Sequence, residues 1–149
     1  MTERSVLLDQ LDDTVSRILA CLRGISNADL PVYEGWCARD ILGHLTFWHE
    51  SFARNLDDLA NGRRLSPLKG RLRDLNAYGV EVMRIIPLEQ VIQKFELAQE
   101  TIRKNILNPN LGLIPYRKGS RDYSPEEHLH IVCGHIQAHL RDIEKAKPR

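Results

Sequence analysis

Apolar residues recur at intervals of three and four along most of the chain, which is the spacing that lines one face of an α-helix. The first series predicts a helix over roughly residues 4–24. The second predicts a helix over roughly residues 37–60, which Asn61-Gly62 ends. The apolar positions of these two series are Leu8, Leu11, Val15, Ile18, Leu22 and Ile25, and Ile41, Leu45, Trp48, Phe52, Leu56 and Leu59.

Two further long helices are predicted in the second half of the chain. One starts behind Pro87, a residue favoured at the first helical position, and stops at Asn108-Pro109. The other starts at Ser124, where a hydroxyl, a following proline and Glu127 three residues on form a capping-box signature. This last helix should reach about residue 145, and no run of strictly alternating apolar and polar residues predicts a sheet.

The link between the second and third long helices is about 26 residues long and carries the apolar spacing of a short helix near residues 72–86. Antiparallel neighbours need only about 2–8 linking residues, so a link of this length indicates a crossover that leaves those two helices parallel. We therefore predict an all-α fold, a four-helix bundle of up-down-down-up order, in a single domain over residues 1–149.

Composition narrows the class of protein. The 149 residues are 42% hydrophobic and 28% charged, as expected of one globular domain. Lys and Arg number 21 against 20 Asp and Glu, a balance that disfavours nucleic acid as a partner. No apolar run suits a membrane span or a signal peptide, so a cytoplasmic protein is expected. Cys21, Cys37 and Cys133 lack any CxxC spacing and are expected to be free thiols, mostly buried.

Histidine is the residue type that suggests chemistry. Four of the six histidines lie on the last predicted helix, and His135 and His139 are four residues apart. That spacing puts two imidazoles about 6 Å apart on one face, where a single metal ion can bind both. His128 lies about 10 Å from His135 along the helix, and His130 points to another face. Core histidines bonded to protein oxygens are the alternative interpretation.

A third ligand can come from the second helix. His44 lies about 10 Å from the start of that helix, and His139 lies at a similar distance from the end of the last one. In the predicted bundle these two helices are antiparallel, which brings His44 level with His135 and His139. His49 points away from His44 and is expected at the surface or around the metal ligands. Three imidazoles leave a coordination position open, which is typical of catalytic metal sites.

The segment GWCARDILGHL, residues 35–45, followed by Trp48, resembles the second-helix signature of the DinB-like superfamily, and His135-xxx-His139 is similar to its second motif. This superfamily includes the damage-inducible DinB proteins and the mycothiol-dependent maleylpyruvate isomerases. The likeness extends over nearly the whole chain in helix order and length, although its specific residues form only these two blocks. It implies a four-helix bundle with a crossover and a divalent metal, zinc or nickel, bound by His44, His135 and His139.

The resemblance also implies candidate activities. We expect a metal-dependent, thiol-dependent transferase acting on a small electrophile, with a low-molecular-weight thiol as co-reactant and a homodimer as the assembly seen in such proteins. The alternatives are a metal-dependent hydrolase, for which Glu50, Glu81 or Asp142 are unassigned candidate bases, and a non-catalytic metal- or ligand-binding bundle. The basic residues of the loops either attract an anionic group of such a thiol or are solvated connectors. They are Arg63, Arg64, Lys69, Arg71, Arg73, Arg117, Lys118 and Arg121.

One residue departs from the pattern of that superfamily. Cys37 stands where relatives commonly carry Ser or Thr at the start of the second helix. A thiol is a poor cap for backbone N–H groups, so this helix start is expected to be weaker.

Overall fold

The computed structural model describes residues 2–148, and this part of the chain is mostly helical, which confirms the predicted all-α class. Its elements lie close to the predicted ones. They are α1 (Glu3–Gly24), β1 (Pro31–Tyr33), β2 (Trp36–Cys37), α2 (Ala38–Ala60), α3 (Leu72–Arg84), α4 (Leu88–Ile106) and α5 (Pro125–Ala146).

The start of α5 is fixed by the capping box that the sequence predicts. The Ser124 hydroxyl accepts from the Glu127 amide at 3.1 Å, and the Glu127 carboxylate accepts from the Ser124 amide at 3.0 Å. Pro125 occupies the first turn, where its missing N–H costs nothing. These bonds set the position of the helix that carries four histidines.

The start of α2 depends on Asp40. Its carboxylate accepts from the Cys37 amide at 3.1 Å and from the Arg84 guanidinium at the end of α3 at 2.9 Å. Burial alone would raise the pKa of Asp40, but the bonds from Arg84 and Cys37 outweigh it and lower that pKa. The ion pair thus fastens α3 to the beginning of α2.

A short antiparallel hairpin of β1 and β2 lies between α1 and α2, so the prediction of no sheet is wrong at this point. Its turn contains Gly35 at φ 83°, a left-handed conformation that favours glycine. Strands of three and two residues are too short to show an alternating pattern, which is why the sequence does not reveal them.

The apolar core lies between the long helices. α2 packs against α4 and α3 and also meets α5, while α1 packs against α5 and α4. The largest fully buried side chains come from all four long helices and from the loop before α5; they include Leu11, Ile18, Ile41, Leu56, Phe95, Ile102, Ile114 and Leu129. Because three helices surround α2, residues on several of its faces are buried.

None of the helices in residues 2–148 is long and apolar enough to cross a membrane. All three cysteines are free, as predicted, but only Cys133 is buried and the other two are half-buried.

Candidate functional site

The structure brings the three predicted histidines together. His44 projects from α2, and His135 and His139 project from α5. The Nε2 atom of His135 lies 3.4 Å from Nε2 of His44 and 3.0 Å from Nε2 of His139, and the ligand atoms of all three lie within 4.8 Å of one another. Tetrahedral zinc with nitrogen ligands separates those nitrogens by about 3.3 Å, so the cluster has the dimensions of a metal site.

Loss of contact with water lowers the pKa of all three imidazoles, although their exposure differs: His44 is buried, His139 is half-buried and His135 is exposed. Loss of hydration, reinforced by the two neighbouring rings, lowers the pKa of His44 to about 3. Burial also lowers the pKa of His139 to about 4 and lowers the pKa of His135. At neutral pH each ring therefore offers a lone pair, the state that metal binding requires.

A tyrosine and a carboxylate orient His139. The Tyr33 hydroxyl lies 2.5 Å from Oδ2 of Asp142 and 2.9 Å from Nδ1 of His139. Burial, together with the bond to Asp142, raises the pKa of Tyr33 to about 12, so its proton stays on the oxygen and is donated to Asp142. Tyr33 must then accept from the Nδ1–H of His139, which leaves the lone pair of Nε2 facing His135. Hydrogen bonding of this kind to the outer nitrogen is usual for metal-binding histidines.

The cluster has more lone pairs than protons to satisfy them. His139 holds its proton on Nδ1, so its Nε2 can only accept. Only His135 and His44 can then carry a proton on Nε2 and donate it to another ring. Nδ1 of His44 is itself buried without a hydrogen-bond partner anywhere in residues 2–148, beneath the Trp36 ring at a centroid distance of 4.9 Å. A bound cation would satisfy the converging lone pairs, and the donor set therefore fits a divalent metal.

The three histidines lie at one end of a cavity of about 530 Å³. Its walls are largely aromatic and aliphatic and include Trp36, Trp48, Phe52, Tyr116, Ile131 and Ile136. Within the part of the chain that the structure describes, no Lys, Arg, Asp or Glu lines this cavity. A small molecule with substantial apolar surface would fit it.

The predicted surface position of His49 is wrong, although this residue does line the cavity. His49 is 2% exposed, and its Nε2 donates to Oε1 of Gln99 at 2.7 Å instead of lying at the surface or bonding to the three histidines. The neighbouring α4 covers this face of α2, a packing that apolar spacing along α2 alone does not show. His130, by contrast, is exposed.

The basic loop residues do not reach the cavity. Arg63 pairs with Asp57 and Asp58, and Arg121 pairs with Glu127. Arg117 donates to the carbonyl of Gly70 and so joins the two loops. These contacts support the interpretation of the basic segments as connectors and not as an anion site.

Sequence reasoning missed part of the site. Asp142 is predicted only as an unassigned candidate base, although its spacing of three residues from His139 could have paired the two. Tyr33 comes from the hairpin and carries no such signal. Helical spacing places His128 about 10 Å from His135 without assigning it a role, and it does not single out Ser51 and Asn55, which are buried with His128 at the other end of the cavity.

Comparisons of this chain with protein-family models, with curated proteins and with solved structures find no match. Function is therefore argued from the site itself.

Proposed function

We propose that this chain is a metal-dependent protein of the DinB-like type that transfers a thiol to a small electrophile, with His44, His135 and His139 holding a divalent ion, zinc or nickel. The observation that carries the proposal is the convergence of three neutral imidazole nitrogens at one end of an apolar cavity. The two sequence blocks that resemble this superfamily contain the same three residues.

A divalent ion in such a site supplies Lewis acidity, which lowers the pKa of a bound thiol or water. The residues of the chain do the remaining work. Tyr33 and Asp142 hold His139 in one tautomer and orientation. Trp36 covers His44 and keeps water from its ring, and the apolar walls provide the surface on which a small electrophile can bind.

The lining of the cavity favours transfer of a thiol over hydrolysis. Hydrolysis assisted by a general base needs a carboxylate or free imidazole near the attacking water. Asp142 already accepts from Tyr33, Glu50 lies beside Lys94, and no carboxylate lines the cavity within the described residues. Of the imidazoles in the lining outside the cluster, His49 donates to Gln99, and His128 lies about 10 Å from the candidate metal site. A thiol bound to such an ion would be deprotonated outright and would need no base, whereas bound water would keep a pKa of about 7.

We also propose that the four long helices are arranged in the up-down-down-up order. Pairs of residues in contact at successive positions along the helices support this order. Along α1 and α5, Arg4 meets Glu126 and Thr14 meets Cys133, so both helices advance together. Along α2 and α4, His49 meets Gln99 and Asp57 meets Asn105, again in the same direction. Along α2 and α5 the order is reversed, because His44 meets His135 whereas Phe52 meets His128.

The first test is metal binding. Purified protein loaded with zinc or nickel should hold one equivalent of metal, measured by elemental analysis after desalting. His44→Ala, His135→Ala and His139→Ala should each lose it. His130→Ala is the matched control, since it removes an exposed imidazole from the same helix and should keep the full equivalent. Retention of metal by all three site variants would disprove the metal site.

The second arm of the same test is turnover by the metal-loaded protein. A chlorodinitrobenzene should react only when a low-molecular-weight thiol such as N-acetylcysteine is added, with a carbon–sulfur bond formed and chloride released. Cleavage of a nitrophenyl ester without thiol would instead identify a hydrolase. Metal binding with neither reaction would favour a non-catalytic binding protein.

A further inference from the structure

The end of the cavity away from the three histidines contains polar atoms that nothing in the described residues satisfies. Both ring nitrogens of His128, the hydroxyl of Ser51 and Oδ1 of Asn55 are buried without a hydrogen-bond partner in residues 2–148. The three residues are only 4%, 2% and 1% exposed, and all of them line the cavity. A buried polar atom without a partner costs free energy of folding, so a cluster of four at one place calls for an explanation.

Two of these residues, His128 and Ser51, lie about 10 Å along their helices from the candidate metal ligands. His128 precedes His135 by seven residues on α5, and Ser51 follows His44 by seven residues on α2, which is a rise of about 10 Å in each helix. The His128 ring stacks on Phe52, with 4.0 Å between centroids, so both steps lead to the same end of the cavity. Asn55 is one further turn along α2 from Ser51.

The unpartnered atoms of His128, Ser51 and Asn55 determine which ligand group could bind them. Nδ2 of Asn55 donates to the carbonyl of Pro115 at 3.2 Å, so its remaining oxygen can only accept. Burial lowers the pKa of His128 to about 4, which makes the ring neutral, with one donor nitrogen and one acceptor nitrogen. The Ser51 hydroxyl can do either. A matching group needs both donors and acceptors and no net charge, because no cationic or anionic side chain in residues 2–148 lines the cavity to compensate one.

We propose that the far end of the cavity is a binding site for an uncharged carboxamide-like group, recognised by His128, Ser51 and Asn55. The apolar walls then enclose the part of the ligand that joins this group to the histidine end. The inference that this site selects the substrate of an enzyme rests on the proposed function. The inference that the site binds a carboxamide-like group concerns only residues outside the histidine cluster.

The test uses metal-free protein and three small aromatic probes of similar shape, namely benzamide, benzoate and toluene. We expect benzamide to bind about tenfold more tightly than the other two, measured by titration of NMR chemical shifts, because only it can pair with donors and acceptors together. Ser51→Ala and His128→Phe should each weaken benzamide binding about 5- to 10-fold and leave toluene binding within about twofold. His130→Ala serves as the control and should change neither.

A second measurement keeps the result interpretable if a variant is disturbed. Removing a buried polar atom that lacks a partner should not lower the melting temperature, so both variants are expected to melt at or above the wild-type temperature. Equal binding of all three probes, or unchanged benzamide binding in both variants, would overturn the proposal and leave ordered water as the partner of these atoms.

The metal site can be tested separately from the carboxamide site. His44→Ala should abolish metal binding but leave benzamide binding by the metal-free protein within about twofold, since the two ends are about 10 Å apart. Loss of benzamide selectivity in wild-type protein that still binds metal would count against the carboxamide site alone. Selectivity without any metal binding would count against the proposed function alone.

Discussion

At the scale of single residues, Tyr33 decides how His139 presents its nitrogen atoms. A tyrosine hydroxyl has one proton, and here it goes to Asp142, so the oxygen can only accept from Nδ1–H of His139. The ring is thereby held with the Nε2 lone pair toward His135. A flipped ring or the other tautomer would aim a proton at the place where a ligand atom is needed.

Tyr33→Phe should therefore weaken metal binding without preventing it. We expect a loss of about 10- to 100-fold in zinc affinity, as is usual when the partner of a ligand histidine is removed. Competition with a chromophoric chelator measures it. Tyr78→Phe, which removes the hydroxyl of a side chain that is 56% exposed, is the matched control and should leave zinc affinity unchanged. Equal affinity for Tyr33→Phe and wild type would show that His139 needs no such support.

The residues of the site differ in how well the sequence predicts them. Position 44 and the pair 135 and 139 follow from helical spacing and from the relative level of two helices, and the structure places them together. Tyr33 could not be predicted, because its position depends on a hairpin whose strands are too short to leave a periodic signal. The far-end polar residues could not be predicted either, since a buried and an exposed serine look alike in a sequence.

At the scale of elements, a chain of polar contacts that runs from buried His49 to the surface joins three helices. His49 on α2 donates to Gln99 on α4, and the amide nitrogen of Gln99 donates to Asp12 on α1 at 2.6 Å. Arg103 donates to the same carboxylate at 2.8 Å from one turn further along α4. Gln99 is the central member, because its two ends satisfy different helices.

Gln99→Leu should lower the free energy of unfolding by about 2–3 kcal/mol, because it leaves the donor of buried His49 without a partner. Urea unfolding followed by circular dichroism measures this. Gln93→Leu, at an exposed position of the same helix, is the matched control and should stay within about 0.5 kcal/mol of wild type. A loss of similar size in both variants would attribute the effect to helix solvation and not to the polar chain.

Elements were predictable where spacing and terminal signals agree. α4 begins directly after Pro87 and α5 begins at the Ser124 capping box, and both signals are visible in the sequence. The burial of His49 was not predictable, because it depends on which helix covers a second face of α2. A single apolar stripe in the sequence predicts one packed face of a helix, whereas three helices pack against α2.

At the scale of the whole molecule, several neutral histidines couple folding to pH. Burial lowers the pKa of His49 and of His128 to about 4, whereas an unfolded histidine titrates near 6.5. Between these values the unfolded chain binds more protons than the folded one, so stability falls as the pH falls. His44, with a pKa of about 3, acts in the same direction.

We therefore expect metal-free protein to be most stable above about pH 6.5 and to lose stability progressively toward pH 4, by about 2–3 kcal/mol for each fully buried histidine. Urea unfolding at a series of pH values measures the slope. His128→Phe should make the slope shallower, whereas His130→Ala, which changes an exposed ring, should reproduce the wild-type slope. A stability that does not change between pH 6.5 and 4.5 would contradict the assignment of these rings as neutral.

The hairpin between α1 and α2 lies outside the cluster of fully buried side chains, yet it supplies the hydroxyl that aligns a ligand ring. None of its residues is fully buried, so a substitution there should cost less free energy of folding than one among the fully buried side chains. Affinity for the ion can consequently be engineered through the seven-residue segment Pro31–Cys37 at a smaller cost in stability than through the helices. Metal affinity and stability can in this way be changed by substitutions in different parts of the chain.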